Sequence, residues 1–182
     1  MHSSLLTTYL SELKKLPCES PVLDLACGNG RNGLFCLKHK LTTVFSDIKE
    51  ESLLDIKQAI INDKSLLDIS LASFWQVDLE QSNVIHLTEN YYGAIMVFRY
   101  LHRPLIEQIK AAVIENGLVI YETFIEQQAE FGRPKNPDFL LKEGELASYF
   151  SDWEILHRFE GIKTSDTGNN QQAIAQIIAR KP

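Results

Sequence analysis

Val22-Leu23-Asp24-Leu25-Ala26-Cys27-Gly28-Asn29-Gly30-Arg31-Asn32 is the stretch whose reading decides the fold. Its first four residues are a short, mostly apolar run suited to a buried parallel strand. Gly28 and Gly30 let the backbone turn sharply and approach a ligand closely, and Gly33 and Leu34 then lead into a helix whose free N–H groups face the turn. Strand, turn and helix in that order make a ligand site.

Working outward, the same alternation continues. Before the stretch, Leu6, Leu10 and Leu13 stand at helical spacing, with Pro17 as a stop, and predict a packing helix over residues 4–16. After it, residues 41–47 have the β-branched and aromatic content of a second strand ending in Asp47, and Leu53, Ile56 and Ile60 mark an amphipathic helix. Residues 72–77 read as a third strand ending in Asp78-Leu79, and residues 94–98 as a fourth. Pro104 opens a helix carrying Leu105, Ile109, Ala112 and Val113, and Glu115-Asn116-Gly117 turns it into a fifth strand over 118–122. Residues 123–141, with Gly132, Pro134 and Pro137, predict a long loop near the mouth of the site, followed by a short helix over 143–150. Residues 153–159 and 172–179, joined by the 161–170 loop, predict an antiparallel hairpin at one edge of the sheet. The pattern is α/β: an open, mostly parallel, doubly wound Rossmann-like sheet in three layers.

Of the 182 residues 45% are apolar, enough for one sizeable core, so a single domain over residues 1–182 is expected. A net charge of -6 opposes attraction to phosphate backbones and anionic lipid, so neither nucleic acid nor a membrane is expected as partner. Cys18, Cys27 and Cys36 match no common zinc spacing and no disulfide framework. They read as free thiols of a reducing, cytoplasmic compartment, with no metal. The N-terminus lacks a basic segment leading into an apolar core, and no run approaches the roughly 20 apolar residues of a membrane span. A monomer or homodimer is expected.

Ligands of such sheets sit beyond the carboxyl ends of the strands at the point where the strand order reverses. Asp47, 17 residues past Gly30, is placed to accept hydrogen bonds from a ribose diol, and Asp78 stands at the matching end of the third strand, within reach of an adenine edge. The glycines 28, 30 and 33 satisfy G-x-G-x-x-G, which leaves a nicotinamide dinucleotide open. Asp24 at the end of the first strand argues the other way, because a carboxylate there repels a pyrophosphate and favours a cationic amino-acid group. S-adenosylmethionine carries an ammonium, a sulfonium and a ribose diol.

The run Asp24-Leu25-Ala26-Cys27-Gly28-Asn29-Gly30-Arg31-Asn32 resembles motif I of the class I S-adenosylmethionine-dependent methyltransferases. Within them it is similar to the tellurite-resistance methyltransferase family, as is the later Lys142-Glu143-Gly144-Glu145-Leu146 segment with Tyr149-Phe150 and Trp153-Glu154. The resemblance implies a seven-stranded sheet with an antiparallel last strand and S-adenosylmethionine as cofactor. It implies that Asp24, Gly28 and Gly30 line the cofactor's amino-acid end, within a turn completed by Ala26, Cys27, Asn29 and Arg31. Asp47, followed by Ile48, would hold the ribose, and Asp78 with Leu79 the adenine. Phe98, Arg99 and Tyr100 match the position that closes over the cofactor and faces the substrate. Ala26 stands where the family has a glycine, and the family's histidine-arginine pair before the last strand has no counterpart in residues 161–170.

Methyl transfer from a sulfonium is an in-line displacement that alignment and water exclusion largely catalyse, and a hydroxyl or amine acceptor adds the need for a base. His102 is the candidate base, with a helix-start role as its alternative. Tyr100 is the aromatic candidate beside the sulfonium, with core packing as its alternative. Arg99 and Arg103 are candidates to hold an anionic substrate or to pair with Glu122 or a surface acid. Glu122, Arg133 and Asn136 are placed to line a substrate pocket. The expected activity is methyl transfer to a small-molecule acceptor. A protein acceptor, a non-catalytic adenosylmethionine-binding module and a nicotinamide oxidoreductase are its rivals.

Overall fold

The computed structural model describes residues 1–63, 67–81, 87–164 and 170–182. Its frame is one sheet built from β1 (Val22–Leu25), β2 (Thr43–Asp47), β3 (Ala72–Gln76), β4 (Tyr92–Phe98), β5 (Val113–Phe124), β6 (Glu154–Thr164) and β7 (Gln171–Arg180). The strand order is β3-β2-β1-β4-β5-β7-β6. The first five strands pair in parallel, and β7 runs antiparallel to both of its neighbours, β5 and β6. Order reverses between β1 and β4, which separates the chain ends leaving those strands and opens a crevice at the glycine turn.

The apolar strands are covered on both faces, as their composition requires. Ala94, Met96 and Phe98 of β4 face Leu5, Leu6 and Leu13 of α1 (Ser4–Thr8) and α2 (Leu10–Leu13), together with Phe35 and Cys36 of α3 (Arg31–Lys38). On the same side α4 (Glu50–Asn62) packs Leu53, Ile56 and Ile60 onto Phe45 of β2. Ile95 and Val97 point the other way, onto α5 (Ile106–Ala112) and onto Leu146 of α7 (Glu145–Tyr149). Helix α3 lies close against the sheet at Gly33, where an added Cβ would lie 2.3 Å from the Phe45 ring.

Three expectations need correction. The helix over 4–16 is two short helices, because Tyr9 leaves helical geometry at φ -105° and ψ 18° and turns its hydroxyl toward the Leu156 carbonyl, 3.2 Å away. Val113 opens β5 instead of closing α5, and a register shift between Tyr92 and Ala94 absorbs the irregular start of that strand. Residues 123–141 are not one loop. β5 runs on through Phe124 because β7 supplies partners for Glu122, Thr123 and Phe124 beyond the parallel part of the sheet. The segment then forms α6 (Gln128–Phe131) and a 3-10 turn at Pro137–Phe139. The antiparallel pair over 153–159 and 172–179 forms, with β6 at the edge and β7 inside it. Residues 165–169 of the intervening loop lie outside the described residues.

Candidate functional site

The glycine turn is held open by backbone geometry and two carboxylates. Ala26, Gly28 and Gly30 all have left-handed backbones, with φ of 52°, 54° and 67°. For Ala26 that conformation costs about 1 kcal/mol, and its small Cβ forms part of the crevice wall. The Cys27 N–H donates to the Ser46 carbonyl at 2.9 Å, tying the turn to β2. Asp47 accepts from the Gly28 N–H through Oδ2 at 2.8 Å and from the Lys49 N–H through Oδ1 at 2.9 Å. Asp24, one strand inward, accepts from the Gly33 N–H at 2.8 Å. The Cys27 thiol is pushed up by burial and by the neighbouring Asp24 and Asp47, so it stays protonated and packs as a small apolar group.

Burial raises the Asp24 carboxyl to about 7, only partly opposed by the Gly33 N–H bond and the nearby Arg31 charge. Because the folded-state value lies above the ordinary 3.8, the folded chain holds this proton more tightly than the unfolded one. Its contribution to stability is therefore complete below about pH 4 and lost as pH rises toward 7. Asp24→Asn is expected to remove a loss of about 3 kcal/mol between pH 5 and pH 8, read as a flatter dependence of the unfolding midpoint on pH.

Beyond the strand ends lies a cavity of about 440 Å³. Ala26 after β1, Asp47 and Ile48 after β2, Val77, Asp78, Leu79 and Glu80 after β3, and Tyr100 after β4 form its walls. Gly28 and Asn29 face a neighbouring hollow against α4, with Asp47 as the divide between the two. A further cavity of about 260 Å³ adjoins the first and is lined by Arg99, Leu101, Thr123, Phe124, Pro134 and Phe139. Glu80 and Tyr100 belong to the walls of both. The Tyr100 phenol is raised by burial and by the negative charge of the neighbouring Glu80 carboxylate, so it stays protonated and is not a base.

Most of the expected cofactor residues therefore come together. Phe98 is instead buried in the layer beneath α1 and α2, and Arg31 reaches the Met1 carbonyl at 3.3 Å. Among the substrate candidates, the pairing alternative holds for both arginines. Arg99, itself left-handed at φ 62°, pairs with the buried Glu122 at 2.9 Å and lies 4.5 Å above the Phe124 ring. The Gln176 amide donates to the other Glu122 oxygen. Arg103 grips both Glu145 oxygens, at 2.6 and 3.0 Å, and the carbonyls of Asp138 and Leu140 at 2.9 and 2.8 Å. It thereby hangs the Phe139 wall on the chain leaving β4. His102 precedes a 3-10 turn and lines neither cavity. Arg133 is exposed, and Asn136 caps the next turn through the Asp138 N–H at 3.1 Å.

Glu80, Thr123, Pro134 and Phe139 were not anticipated. For Glu80 the signal was present, since it stands two residues after Asp78 on the same strand exit. For Phe139 there was none, because it reaches the site through the Arg103 grip. Among the described residues no cluster of metal-ligating side chains occurs, and no helix is long and apolar enough to cross a membrane.

The strand order with its reversed β7, the glycine turn at the switch point and the carboxylates after successive strands define the class I methyltransferase fold. The S-adenosylmethionine-dependent methyltransferase of Methanosarcina mazei shares it, with a TM-score of 0.69 at 14% identity over 98% of this chain and 97% of that one. Residues 6–176 match the family of tellurite resistance protein TehB, and the chain belongs to that family. It is 30% identical over 175 residues to the probable S-adenosyl-L-methionine-dependent methyltransferase TehB of Haemophilus influenzae, covering 91% of this chain and 58% of the relative. The crystal structure of TehB from Haemophilus influenzae superposes with a TM-score of 0.73 at 26% identity, over 97% of this chain and 62% of that one. The chain thus spans less than two thirds of the length of these relatives.

Proposed function

We propose that the chain is an S-adenosylmethionine-dependent methyltransferase acting on a small-molecule acceptor. The observation that carries this reading is the pair of adjoining cavities at the switch point, one edged by Asp47 and Asp78, the other largely apolar, with Glu80 and Tyr100 at their junction. When bound, the cofactor supplies an electrophilic methyl group on a cationic sulfur. Asp47 would accept from the ribose hydroxyls, and Ile48, Leu79 and Asp78, which line the same cavity, would hold the adenine. The turn residues 26–30 would receive the amino-acid end, with the buried Asp24 behind them.

An acceptor held in the second cavity would lie against the junction, where alignment at about 3 to 3.5 Å and exclusion of water would do most of the work. Relatives bearing the same activity in their names support the reading. The free thiols of Cys18, Cys27 and Cys36 suit a reducing, cytoplasmic compartment, and the net charge of -6 argues against a nucleic-acid acceptor.

Calorimetry with S-adenosylmethionine, S-adenosylhomocysteine and NAD tests it. Micromolar binding of both sulfur ligands and none of NAD is expected, and the reverse would return the glycine pattern to a dinucleotide. S-adenosylhomocysteine release with small acceptors separates an enzyme from a binding module. Release only with protein acceptors would move the activity to protein methylation.

A further inference from the structure

We infer that two copies of this chain pair through the outer edge of β6, antiparallel and in one register, so that two seven-stranded sheets join into one across a two-fold axis at Phe159. The inference does not rest on the methyltransferase reading.

Strand β6 ends the sheet, and among the described residues no strand pairs with its outer side. At 11 residues it is long for an edge, it contains no proline, and none of its residues is buried, whereas β7 beside it is buried from Ala173 to Ala179. Its outer N–H and C=O groups form a row open to another strand. Ile155 and Ile162 stand out from it, 41% and 44% exposed.

A two-fold axis restricts the registers available. Residues directly opposite in an antiparallel pair share a face, and a two-fold perpendicular to the sheet keeps each face, so one residue must stand opposite its own copy. The faces of β6 follow from its pairing with β7. Ile155, Arg158, Glu160 and Ile162 lie opposite Ala179, Ile177, Ala175 and Ala173, which all belong to one core layer, and Leu156 is the extra residue of a bulge. Glu154, His157, Phe159 and Lys163 take the other face.

With Phe159 on the axis and Leu156 bulged out, Arg158 meets the partner's Glu160, Ile162 meets the partner's Ile155, and Lys163 meets the partner's Glu154. Each contact occurs twice, and opposite charges or matched apolar groups in opposed positions stabilise such a pair. The neighbouring registers lose this match. An axis at Arg158 sets two arginines face to face, one at Glu160 two glutamates, and one at Gly161 puts Glu160 against the partner's Ile162. Charges that ordinarily keep an edge from pairing are here self-complementary. Because β7 is antiparallel to both β5 and β6, β6 runs parallel to β5, and the two-fold sends the two cofactor crevices to opposite edges of the joined sheet. Each crevice is complete within one copy.

Sedimentation equilibrium of the full chain tests the pairing. A dimer is expected, and Arg158→Glu should raise its Kd at least about tenfold while leaving circular dichroism and S-adenosylhomocysteine affinity unchanged. Glu160→Arg should weaken the dimer in the same way, and an equimolar mixture of the two variants should restore it, because the mixed pair again opposes unlike charges at both central contacts. A disulfide test reads the register itself, in a Cys18→Ser background that removes the exposed native thiol. Opposed Cα atoms lie about 4.5–5.5 Å apart, within disulfide range, so Phe159→Cys should link two copies on oxidation. Ile162→Cys, whose own copy lies far along the strand, should not. A chain that stays monomeric at every concentration overturns the inference. So does a dimer that Arg158→Glu leaves intact, a mixture of folded variants that stays monomeric, or a failure of Phe159→Cys to link more readily than Ile162→Cys.

Discussion

Asp47→Ala is expected to weaken S-adenosylhomocysteine binding about a hundredfold, close to 2.7 kcal/mol on the affinity scale. The carboxylate is buried and has two tasks that the substitution removes together. Its oxygens accept from the Gly28 and Lys49 N–H groups, which shapes the turn at the exit of β1 and the start of the chain leading into α4. The same carboxylate forms part of the wall of the 440 Å³ cavity where a ribose diol would lie. Alanine leaves both N–H groups short of an acceptor and gives the diol nothing to bond to, and bonds to a charged group are worth about 1.5–3 kcal/mol each. Asp47→Asn keeps an acceptor oxygen and should fall between the two. Isothermal titration at constant pH measures the series. A loss below tenfold in the alanine variant would mean that Asp47 braces the turn without touching the ligand.

The second large effect is on stability. Gly33→Ala should cost about 3 kcal/mol, which in a chain of this size lowers the thermal midpoint by about 6–12 °C. The new Cβ would lie 2.3 Å from one Phe45 ring carbon, 2.9 Å from another and 2.9 Å from Asp24 Oδ2. None of these neighbours can give way cheaply. Phe45 is fully buried and stacked on Phe74 at 5.6 Å, and Asp24 is anchored by the Gly33 N–H itself. Helix α3 must therefore lift from the sheet, and the turn at its start moves with it. Urea unfolding gives the magnitude directly. A cost under 1 kcal/mol would show that the Phe45 ring finds another rotamer.

Much of the ligand side was legible because it is local. The third glycine of Gly28-Asn29-Gly30-Arg31-Asn32-Gly33 is needed for close packing of helix on strand in a dinucleotide site and here serves an adenosylmethionine-type turn equally well, which is why spacing alone left both ligands open. Asp24, Asp47 and Asp78 could be placed from the chain because each ends a short strand of a parallel sheet, and parallel strands bring their carboxyl ends to one edge. The acceptor side was harder. Arg99 and Arg103 follow one strand and offered the same chemistry in sequence, yet Glu122, next to β4 through the β4–β5 ladder, takes the first, and Glu145, 42 residues further on, takes the second.

The sequence by itself determined the α/β class, the glycine turn at the first strand's end and the carboxylates that face it, since periodicity, strand-end position and backbone permissiveness are properties of short segments. Tertiary structure alone decided that Tyr9 breaks the first helix, that β7 lies inside β6, that both arginines are spoken for, and that Phe139 lines the space beside Tyr100. Those outcomes depend on which distant partner satisfies a buried charge or an open sheet edge, and no local pattern encodes that choice.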